Sequence, residues 1–560
     1  MNGGKSFSRK QTRRTPEDRA LRGQIRTNAG RNGLQKGKDG NAMLHIVTAE
    51  EMKEMDRRAI EETGIPSAVL MERAALAAAD AVTEALADPE RFPVNRDTPS
   101  VLVIAGPGRC GGDGIACARI LHLRGIGCHI QLAGDPERLA PETAQQLRIA
   151  GNLGIPVSRD EPIGDSGLIV DALFGIGLSR PAEGEFGALI RSMNESRAFV
   201  VSVDIPSGLN ADDGQPAGCA VRADVTVTMQ LPKRGILLDP GRLYCGRLVI
   251  ADIGIPDCAP EPAGRPVFAM TNQDLADLLP KRAPSGNKGT FGRVLLAAGS
   301  DGMAGAAVLS ARSAIRSGAG MVKVLTDARN RVIIQTAVPE ALYAGYSTAE
   351  EAEAAVRVSL GWADAVAAGP GLGTGSAASA IVRCLLSEAD IPLVLDADAL
   401  NLIAGDPSLR ALLSAHNGPV TLTPHMGEMA RLTGRSVREL KQNRFAAAAA
   451  LASETGAVVV LKDARTVTAV PDGRLFLNLS GNSGLATAGS GDVLTGLTAG
   501  LLAGGTDPSV AGALASFLHG LAGDAAASQR GQRALTAGEL PDALASVLKE
   551  AERRTDTLFP

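Results

Sequence analysis

Aromatic residues, cysteine and net charge are all scarce in this chain of 560 residues. One Trp, three Tyr and eleven Phe leave few side chains on which nucleic-acid bases could stack. The 57 basic and 61 acidic residues almost cancel, so the charge gives no reason to expect a nucleic-acid partner. Seven cysteines, an odd number with no Cys-x-x-Cys pair, indicate reduced thiols in a cytoplasm and argue against a zinc site.

Long uncharged apolar stretches are also missing from the sequence. None reaches the roughly eighteen consecutive residues that a membrane-spanning helix needs, so we expect no membrane partner. Hydrophobic residues make up 45% and charged residues 21% of the chain, which is typical of soluble globular proteins. Because 560 residues exceed what one hydrophobic core can organise, we expect two or three domains.

The first 42 residues differ in composition from the rest. They contain eleven Lys and Arg against three acidic residues, and they lack the apolar segment of a secretory signal. A mitochondrial transit peptide would need an apolar face that this segment also lacks. We expect residues 1–42 to be a disordered tail, or to precede a true start at Met43, where structured-looking sequence opens.

Strand-like and helix-like segments alternate from Leu44 onward. Thr48–Glu51 matches a capping box and is expected to open a helix. The buried-strand runs that follow are Val101–Ala105, Cys128–Leu132, Leu168–Val170, Phe199–Val203 and Val225–Met229. Strands separated by helix-length intervals predict a parallel, doubly wound α/β sheet.

A proline-rich segment separates this pattern from a second one. Residues 256–266 contain four prolines in eleven positions, which is typical of a linker. The second set of predicted strands is Val294–Ala298, Met321–Leu325, Ala365–Ala368, Leu393–Leu395, Val420–Thr423 and Val458–Leu461. We therefore predict two α/β domains, at residues 44–255 and 267–556.

The most informative stretch runs from Asn482 to Asp492. Its glycines allow close backbone approach to a ligand, and a helix beginning at Gly491–Asp492 would direct its free N–H groups toward an anion. Asp492 then stands out, because a carboxylate at such a helix start repels phosphate. It is a candidate proton acceptor facing a substrate hydroxyl. Taken alone, the segment fits equally well a glycine-rich turn followed by an acid-capped helix.

A second glycine-rich segment, Gly106–Gly114, follows the first predicted strand. Its G-x-G-x-x-G spacing matches the dinucleotide-binding fingerprint, and Asp135 falls near the position expected for a ribose-binding acid. Asp113, however, would place a negative charge close to a pyrophosphate. The segment better suits neutral or hydroxylated groups, or a cation.

The order of the motifs resembles a known pair of enzyme domains. In the first half, Gly106–Gly114, Val170–Leu178 and Ser202–Gly208 occur in the order found in NAD(P)H-hydrate epimerases. The second half resembles the NAD(P)H-hydrate dehydratases of the ribokinase-like superfamily through Asn287–Gly289, Gly299–Ala307, Gly369–Gly373, Asp396–Asn401, Thr423–Glu428 and Ala488–Asp492. The resemblance implies a Rossmann-like domain followed by a ribokinase-like domain in a bifunctional repair enzyme.

For the second half, the resemblance implies a dehydratase. The family's substrate is NADH or NADPH hydrated at the nicotinamide 5,6 double bond, and water is removed with ADP or ATP and Mg²⁺. Asp492 matches the catalytic base and also a substrate contact, as do Ala306, Gly373 and His425. The implied nucleotide-binding residues are Lys462, Asp463, Ala464, Arg465, Thr466, Asn482, Ser483, Gly484, Leu485, Ala486, Thr487, Ala488, Gly489, Ser490 and Gly491.

Some of these residues have simpler interpretations. His425, next to Pro424, could cap a helix. Asp396 and Asp398 could only end a strand, or they could serve a Mg²⁺–phosphate site through water.

For the first half, the resemblance implies an epimerase. Asp204 matches a residue that contacts the substrate and is the candidate for moving the proton at C6. Asp171, Ser207 and Cys110 occupy the positions of potassium ligands. The implied substrate contacts are Arg109, Cys110, Gly111, Gly112, Asp113, Gly175, Ile176, Gly177, Leu178, Ser179, Arg180, Pro181 and Asp204. Each acid could also simply end a parallel strand, which is where α/β sites lie.

The first half departs from the family pattern in two places. Arg109 and Cys110 stand where the pattern has two asparagines. In the second place, Arg73 and Ala75 replace the asparagine and the glycine of the motif Met-Glu-Asn-Ala-Gly. One hypothesis is that Arg109 points into the potassium pocket and compensates Asp171, so that epimerisation is potassium-independent or absent. The alternative is that Arg109 points to solvent, while Asp171 and Ser207 still hold the ion.

Two other functions stay open at this point. A small-molecule kinase of the ribokinase class would use the same base and anion site. The first half could also be a catalytically silent binding module. We expect small-molecule partners, a homo-oligomer, and no nucleic-acid partner.

Overall fold

The structure, a computed structural model, describes residues 26–27, 43–92, 100–159, 163, 166–178, 180–256 and 264–556. Most of the predicted tail and linker, together with Ser179, therefore lie outside the described residues. The chain divides into two compact units. The first contains Arg26–Thr27 and His45–Gly264, and the second contains Met43, Leu44 and the residues from Arg265 onward.

The first unit is built on a parallel sheet. From one edge to the other its strands are Arg26–Thr27, Arg247–Ala251, Val225–Met229, Phe199–Val203, Leu168–Ala172, Val101–Ala105, Cys128–Leu132 and Val157–Ser158. At the centre Val103 lies opposite both Ile130 and Val170. The strand order reverses at Val101–Ala105, which creates a crevice at the carboxyl ends of the central strands. Arg26–Thr27 pairs with Val249 and Ile250, so part of the segment expected to lie outside the fold belongs to this sheet.

Helices pack against this sheet. They are Ala49–Glu61, Ser67–Leu86, Arg109–Leu123, Pro141–Asn152, Gly184–Glu195, Arg234–Leu237 and Arg242–Cys245. Thr48 and Glu51 form the predicted capping box. The helix begins at Arg109, inside the glycine-rich segment Gly106–Gly114, so the loop before it is short. A Cβ on Gly111 would lie 1.8 Å from the carbonyl oxygen of Gly106, and one on Gly114 would lie 2.4 Å from Ala172 Cβ. These glycines therefore let the helix start directly against the strand ends.

The second unit contains a larger mixed sheet. Its strands, in order, are Leu342–Tyr346, Met321–Asp327, Arg293–Ala297, Ala365–Ala368, Leu393–Leu395, Val420–Leu422, Val458–Leu461, Val467–Ala469, Leu475–Leu477 and Val267–Ala269, followed by an edge strand that begins at Leu44. The first seven are parallel, whereas Val467–Ala469 pairs antiparallel with both of its neighbours. The α/β class is confirmed, and the antiparallel strands are a feature that the sequence pattern did not predict.

The helices of the second unit cover this sheet. They are Leu275–Leu278, Ala304–Arg316, Arg331–Ala337, Ala349–Leu360, Ser376–Glu388, Ala397–Gly405, Pro407–Ala415, Met426–Thr433, Val437–Gln442, Arg444–Thr455, Ser490–Ala503, Pro508–Arg530 and Leu540–Asp556. By length and composition alone, Pro508–Arg530 is the one helix in the described residues that is apolar enough to cross a membrane. It is nevertheless a core helix, because 78% of its apolar window is buried within the protein.

Candidate functional site

In the first unit, chain segments meet at the carboxyl ends of four adjacent strands. The segments that begin at Gly106, Leu173, Asp204 and Gln230 follow the strands Val101–Ala105, Leu168–Ala172, Phe199–Val203 and Val225–Met229. Because parallel strands present their carboxyl ends at one edge, the predicted residues of this unit are gathered into one site.

Asp204 occupies the middle of this edge with an unusual backbone conformation. Its φ angle is +66°, a value that a non-glycine residue seldom adopts. The backbone N–H of Asp204 donates to the carbonyl of Val227 at 2.7 Å, which holds the turn in place. Carboxylate oxygen Oδ1 accepts from Lys233 Nζ at 2.5 Å and from the N–H of Met229 at 3.3 Å. Lys233 is completely buried, and the sequence reasoning did not identify it.

Cys110 and Asp113 lie on the first turns of the facing helix. The thiol of Cys110 lies 3.8 Å from the carbonyl oxygen of Val203. Burial, followed by the charges of Asp113 and Asp204, raises the pKa of this thiol. Burial, followed by the charges of Asp204 and Asp56, likewise raises the pKa of Asp113 well above its ordinary value. The Cys110 thiol is therefore neutral at neutral pH and can donate a hydrogen bond to a polar substrate group.

Asp171 is fully buried and already hydrogen-bonded. Its Oδ2 accepts from the hydroxyl of Ser202 at 2.8 Å and from the N–H of Ser207 at 2.9 Å. Its Oδ1 receives only a long bond of 3.4 Å from the N–H of Leu173. Burial raises the pKa of Asp171, and these hydrogen bonds oppose the rise.

These residues do not fit a potassium ion. The Ser207 hydroxyl donates to the carbonyl of Phe174 and accepts from the same residue's N–H, so its proton and one of its two lone pairs are in use. A neutral thiol such as Cys110 is a poor ligand for a hard cation. In the described ranges, no group of three or more His, Cys, Asp or Glu side chains is arranged to hold a metal ion.

Arg109 is an exposed residue, which corrects the hypothesis that it fills the potassium pocket. Its side chain is 62% exposed, and the guanidinium lies 3.4 Å from Asp56 and 3.7 Å from Glu142. The Arg109 guanidinium therefore forms ion pairs with these two carboxylates and does not compensate the charge of Asp171. Arg73, the other departure from the pattern, pairs with Asp252 at 3.6 Å.

Residues of the predicted loop 175–181 line a pocket in this unit. A pocket of about 130 Å³ is lined by Leu178, Arg180, Pro181, Asn210 and Ala217. At the other end of the loop, a Cβ on Gly175 would lie 3.3 Å from Asp204 Oδ2 and 3.7 Å from Cys110 Sγ. The loop therefore runs from the carboxylate to the pocket.

The second unit assembles its site in the same way. Loops leave the carboxyl ends of five parallel strands at Ala298, Gly369, Asp396, Thr423 and Lys462. Backbone hydrogen bonds join neighbouring loops, from Gly369 to Ala297, from Thr423 to Leu395 and from Lys462 to Pro424. Four of the six motifs, together with the segment Lys462–Thr466, are thus brought to one edge of the sheet.

The helix Ser490–Ala503 carries Asp492 into this edge. Its first turn packs on the helix Ala304–Arg316, where the hydroxyls of Ser310 and Ser313 donate to the carbonyls of Asp492 and Val493. A Cβ on Gly496 would lie 2.0 Å from the carbonyl oxygen of Ser310, so this close approach requires glycine. The helix start predicted at Gly491–Asp492 is confirmed to within one residue.

Asp492 is a carboxyl group with a shifted pKa. Burial, followed by the negative charge of Asp396, raises its pKa to about 6, although Lys462 opposes the rise. A carboxyl group of this pKa accepts and releases protons near neutral pH, as a general base must.

Lys462 is held beside the helix start by a buried network. Its Nζ donates to Asp396 Oδ1 at 2.7 Å, and the Thr495 hydroxyl donates to Asp396 Oδ2 at 2.6 Å. Burial disfavours the charge on Lys462, but the charges of Asp396 and Glu428 outweigh it and raise the pKa of the ammonium. A Cβ on Gly491 would lie 3.4 Å from this Nζ. The N-terminal N–H groups and a fixed ammonium therefore share one anion-binding position.

Asp396 binds this ammonium and is unsuited to bind Mg²⁺. Both of its oxygens already accept hydrogen bonds, and the residue is 1% exposed. Asp398 is more open. Its Oδ2 accepts from the N–H of Gly373 at 2.8 Å, and its Oδ1 accepts only a long bond of 3.4 Å from Asn401. Asp398 therefore retains an oxygen that can reach an ion through water.

His425 is a helix-capping residue, as its simpler interpretation proposed. Its Nδ1 accepts from the N–H groups of Gly427 and Glu428, and its own N–H donates to Glu428 Oε2. Burial, followed by the charges of Lys462 and Arg431, lowers the pKa of His425. The neutral ring therefore carries its proton on Nε2, which lies 3.2 Å from Glu428 Oε1, and the side chain is 54% exposed.

Gly373 and Ala306 belong to the same surface. The N–H groups of Gly299 and Ser300 donate to the carbonyls of Pro370 and Gly371, which ties the two loops together. A Cβ on Gly371 would lie 3.0 Å from Ala306 Cβ. Gly373 therefore lies on a loop that packs against the first turn of the helix Ala304–Arg316, which carries Ala306.

The predicted nucleotide segment Asn482–Gly491 is held at both ends by the helix Pro508–Arg530. Asp524 accepts from the N–H of Gly481 and from Asn482 Nδ2, at 2.9 and 2.8 Å. At the other end, His519 Nε2 lies 3.3 Å from the hydroxyl of Ser490. Burial lowers the pKa of His519 to about 4, so this imidazole is neutral. The middle residues Leu485–Gly489 connect these two ends.

The second nucleotide segment, Lys462–Thr466, is also ordered by local bonds. Asp463 lies 3.4 Å from Arg444, and the hydroxyl of Thr466 donates to the carbonyl of Asp463. Arg465 donates to the carbonyl of Leu479 at 2.6 Å, which links this segment to the start of the other one. Ala464 lies between these anchored residues.

Sequence reasoning missed four residues of the two sites. They are Lys233, Thr495, His519 and Asp524. Lysine next to a proline at the end of an apolar strand was the available signal for Lys233. The other three lie on helices whose apolar pattern hides single polar residues, so no local signal marked them.

Comparison with known sequences identifies the family. The profile described as NAD(P)H-hydrate dehydratase matches residues 294–546, and the profile described as YjeF-related protein N-terminus matches residues 67–235. A bifunctional NAD(P)H-hydrate repair enzyme Nnr from Moorella thermoacetica is 39% identical over 535 residues, covering 92% of this chain and 98% of that protein. The chain belongs to this family. The enzyme of the same name from Escherichia coli is 34% identical, covering 88% of this chain and 92% of that protein.

The family assignment confirms the resemblance found in the motifs. Among solved structures, an ADP/ATP-dependent NAD(P)H-hydrate dehydratase from Bacillus subtilis, co-crystallised with ATP/Mg²⁺, is 35% identical. It covers 50% of this chain and 98% of its own, with a TM-score of 0.45. This NAD(P)H-hydrate repair family member therefore carries both profiles in the order that the sequence predicted.

Proposed function

We propose that the chain repairs hydrated NADH and NADPH in two steps. The first unit interconverts the R and S hydrates, and the second unit removes water from the S hydrate with the help of ADP or ATP. The observation that carries this proposal is the pairing of Asp492, whose pKa is about 6, with the buried ammonium of Lys462 at one helix start. A base and an anion site side by side suit transfer of a phosphoryl group to a hydroxyl.

Dehydration at the second unit combines a phosphoryl donor, a base and an anion-binding position. The nucleotide contributes a phosphoryl group that turns the C6 hydroxyl into a good leaving group. Asp492 accepts the hydroxyl proton as the oxygen attacks phosphorus, and Lys462 with the helix N–H groups balances the phosphate charge. Departure of phosphate from C6 and of a proton from C5 restores the 5,6 double bond.

Mg²⁺ would be held in part by this unit. Mg²⁺ usually keeps several waters and is bound by one or two carboxylates together with substrate phosphates. Asp398 is the carboxylate that fits this role, because Asp396 already binds Lys462 and Thr495. The ion's chemistry would be to neutralise charge on the phosphates.

The first unit supplies one proton-transfer group for epimerisation. Asp204 Oδ2 faces Gly175 and Cys110, while Oδ1 is engaged by Lys233 and Met229. Oδ2 is therefore the oxygen placed to take up the proton at the C6 centre, and a proton returned to the opposite face of the ring inverts that centre. The neutral thiol of Cys110 is a donor to the substrate's polar groups, and Asp113 lies on the same turns of the helix.

The test uses the whole chain and both hydrates of NADH. With ADP or ATP and Mg²⁺, absorbance at the reduced-nicotinamide band should recover from both epimers, whereas without nucleotide the epimers should interconvert without recovery. Asp492→Asn should stop only the recovery, and Asp204→Asn should stop only the interconversion. Labelled phosphate transferred to an added alcohol, with no recovery from hydrated NADH, would instead identify a kinase.

A further inference from the structure

The fully buried lysine of the first unit calls for an explanation. Lys233 is 0% exposed and is among the largest completely buried side chains in the described residues. Burying an ammonium group is unfavourable unless every one of its protons finds an acceptor. A buried ammonium group whose protons are all hydrogen-bonded holds its acceptor groups in fixed positions.

The Lys233 ammonium has three partners, one for each proton. It donates to Asp204 Oδ1 at 2.5 Å, to the carbonyl of Met229 at 2.9 Å and to the hydroxyl of Thr228 at 3.1 Å. Its backbone is also anchored, because Lys233 bridges to Val47. A group with every proton committed and no exposed surface is unsuited to carry protons to a substrate.

The partner carboxylate is held asymmetrically. Oδ1 of Asp204 receives Lys233 and the N–H of Met229, whereas Oδ2 points toward the space beside Gly175, 3.3 Å from where a Cβ would stand. The strained φ of +66° shows that the surrounding structure imposes this orientation. The two oxygens therefore have different roles.

We propose that Lys233 is the positioning residue of the epimerase site, fixing Oδ1 of Asp204 so that Oδ2 alone exchanges a proton with the substrate. This inference rests on the proposed epimerase function. Lys233 also offsets local negative charge, since Asp113 and Asp171 share this region with Asp204 and Cys110.

The experiment uses the full-length protein with the R hydrate of NADH and no nucleotide, so that dehydration does not consume the product. Formation of the S hydrate is followed by chromatography at several substrate concentrations. Lys233→Met keeps the side chain's length and removes its charge. We expect kcat to fall about tenfold or more with KM within about threefold, because orientation of a base affects the proton transfer and not the binding of substrate.

A double variant tests whether Lys233 acts through Asp204. Adding Lys233→Met to Asp204→Asn should cause no further loss, because the oriented base is already gone. Effects that multiply would overturn the proposal. Arg124→Met is the matched control, since it removes a cation that pairs with Asp80 elsewhere in the unit and should leave epimerisation unchanged.

A second substitution covers the case in which Lys233→Met unfolds the first unit, which thermal unfolding would reveal. Thr228→Val removes one acceptor of the ammonium and keeps its charge, so kcat should fall several-fold at unchanged KM. An unchanged kcat would overturn the proposal. A wild-type chain that fails to interconvert the hydrates contradicts the epimerase itself. Normal wild-type activity with a folded Lys233→Met near the wild-type rate removes only the role of Lys233.

Discussion

Asp492 lies among charged groups of both signs, and their balance sets the pH range in which it can act. Burial and Asp396 raise its pKa to about 6, so below pH 6 the group is mostly protonated and cannot accept the hydroxyl proton. We expect kcat/KM of dehydration to rise with pH through a midpoint near 6 and then to level off. Initial rates between pH 4.5 and 8 with the S hydrate would measure this midpoint, and a flat profile would contradict it.

Removal of the carboxylate gives a separate prediction. Asp492→Asn preserves the shape of the side chain and abolishes its basicity, so dehydration should slow by about 10²–10⁴ while nucleotide binding persists. Rates would be measured by absorbance recovery and binding by nucleotide titration. Retention of more than a tenth of the activity would mean that Asp492 only places a charge at the helix start.

Cys110 provides a residue-scale test of the potassium requirement. Because Asp171 and Ser207 are already hydrogen-bonded and Cys110 is a thiol, wild-type epimerisation should proceed equally in sodium and potassium buffers. Cys110→Asn would add a carbonyl oxygen, the kind of ligand that potassium prefers, and should create stimulation by potassium. Clear stimulation of the wild-type protein would contradict this account.

At the scale of elements, two glycines that precede the helix Arg109–Leu123 differ in how tightly their surroundings are packed. A Cβ on Gly106 would lie 2.0 Å from the carbonyl oxygen of Leu173, whereas one on Gly108 would meet nothing within 4 Å. Gly106→Ala should therefore destabilise the first unit by more than about 2 kcal/mol, and Gly108→Ala should change its stability by less than about 0.5 kcal/mol. Urea unfolding of the two variants would measure the difference. Equal stabilities would show that the strand and helix can separate without cost.

The same element shows how far sequence reasoning reaches. Continuous apolar runs such as Val101–Ala105 and Val458–Leu461 predicted strands correctly at both ends, because burial on two faces leaves a clear pattern. Edge strands such as Leu342–Tyr346 are more exposed and gave no such pattern. The motifs located Asp492 and Asp204, but the partners Lys233 and Thr495 depend on contacts distant in sequence. The side-chain direction of Arg109 was likewise decided by Asp56 and Glu142.

At the scale of the whole molecule, the second unit draws on both ends of the described chain. Met43 is buried in the same core as Met270, Leu275 and Leu514. Residues 267–560 expressed alone should still fold and dehydrate the S hydrate, but with stability lower by about 1.5–3 kcal/mol, the value of one buried methionine. Urea midpoints of fragments with and without residues 43–44 fused to their start would measure this. An insoluble or inactive fragment would contradict the prediction.

The assignment of Leu44 to the second unit also has a consequence for biosynthesis. In topological terms, the first unit apart from Arg26–Thr27 is inserted between Leu44 and Arg265 of the second. The inserted unit is nearly contiguous, so it can complete its fold while the ribosome is still translating. The second unit cannot complete its fold so early, because its edge strand is synthesised first and the helix Pro508–Arg530 almost last. That helix holds the predicted nucleotide segment Asn482–Gly491. Epimerisation should therefore be acquired on the ribosome, whereas dehydration should be acquired only after release.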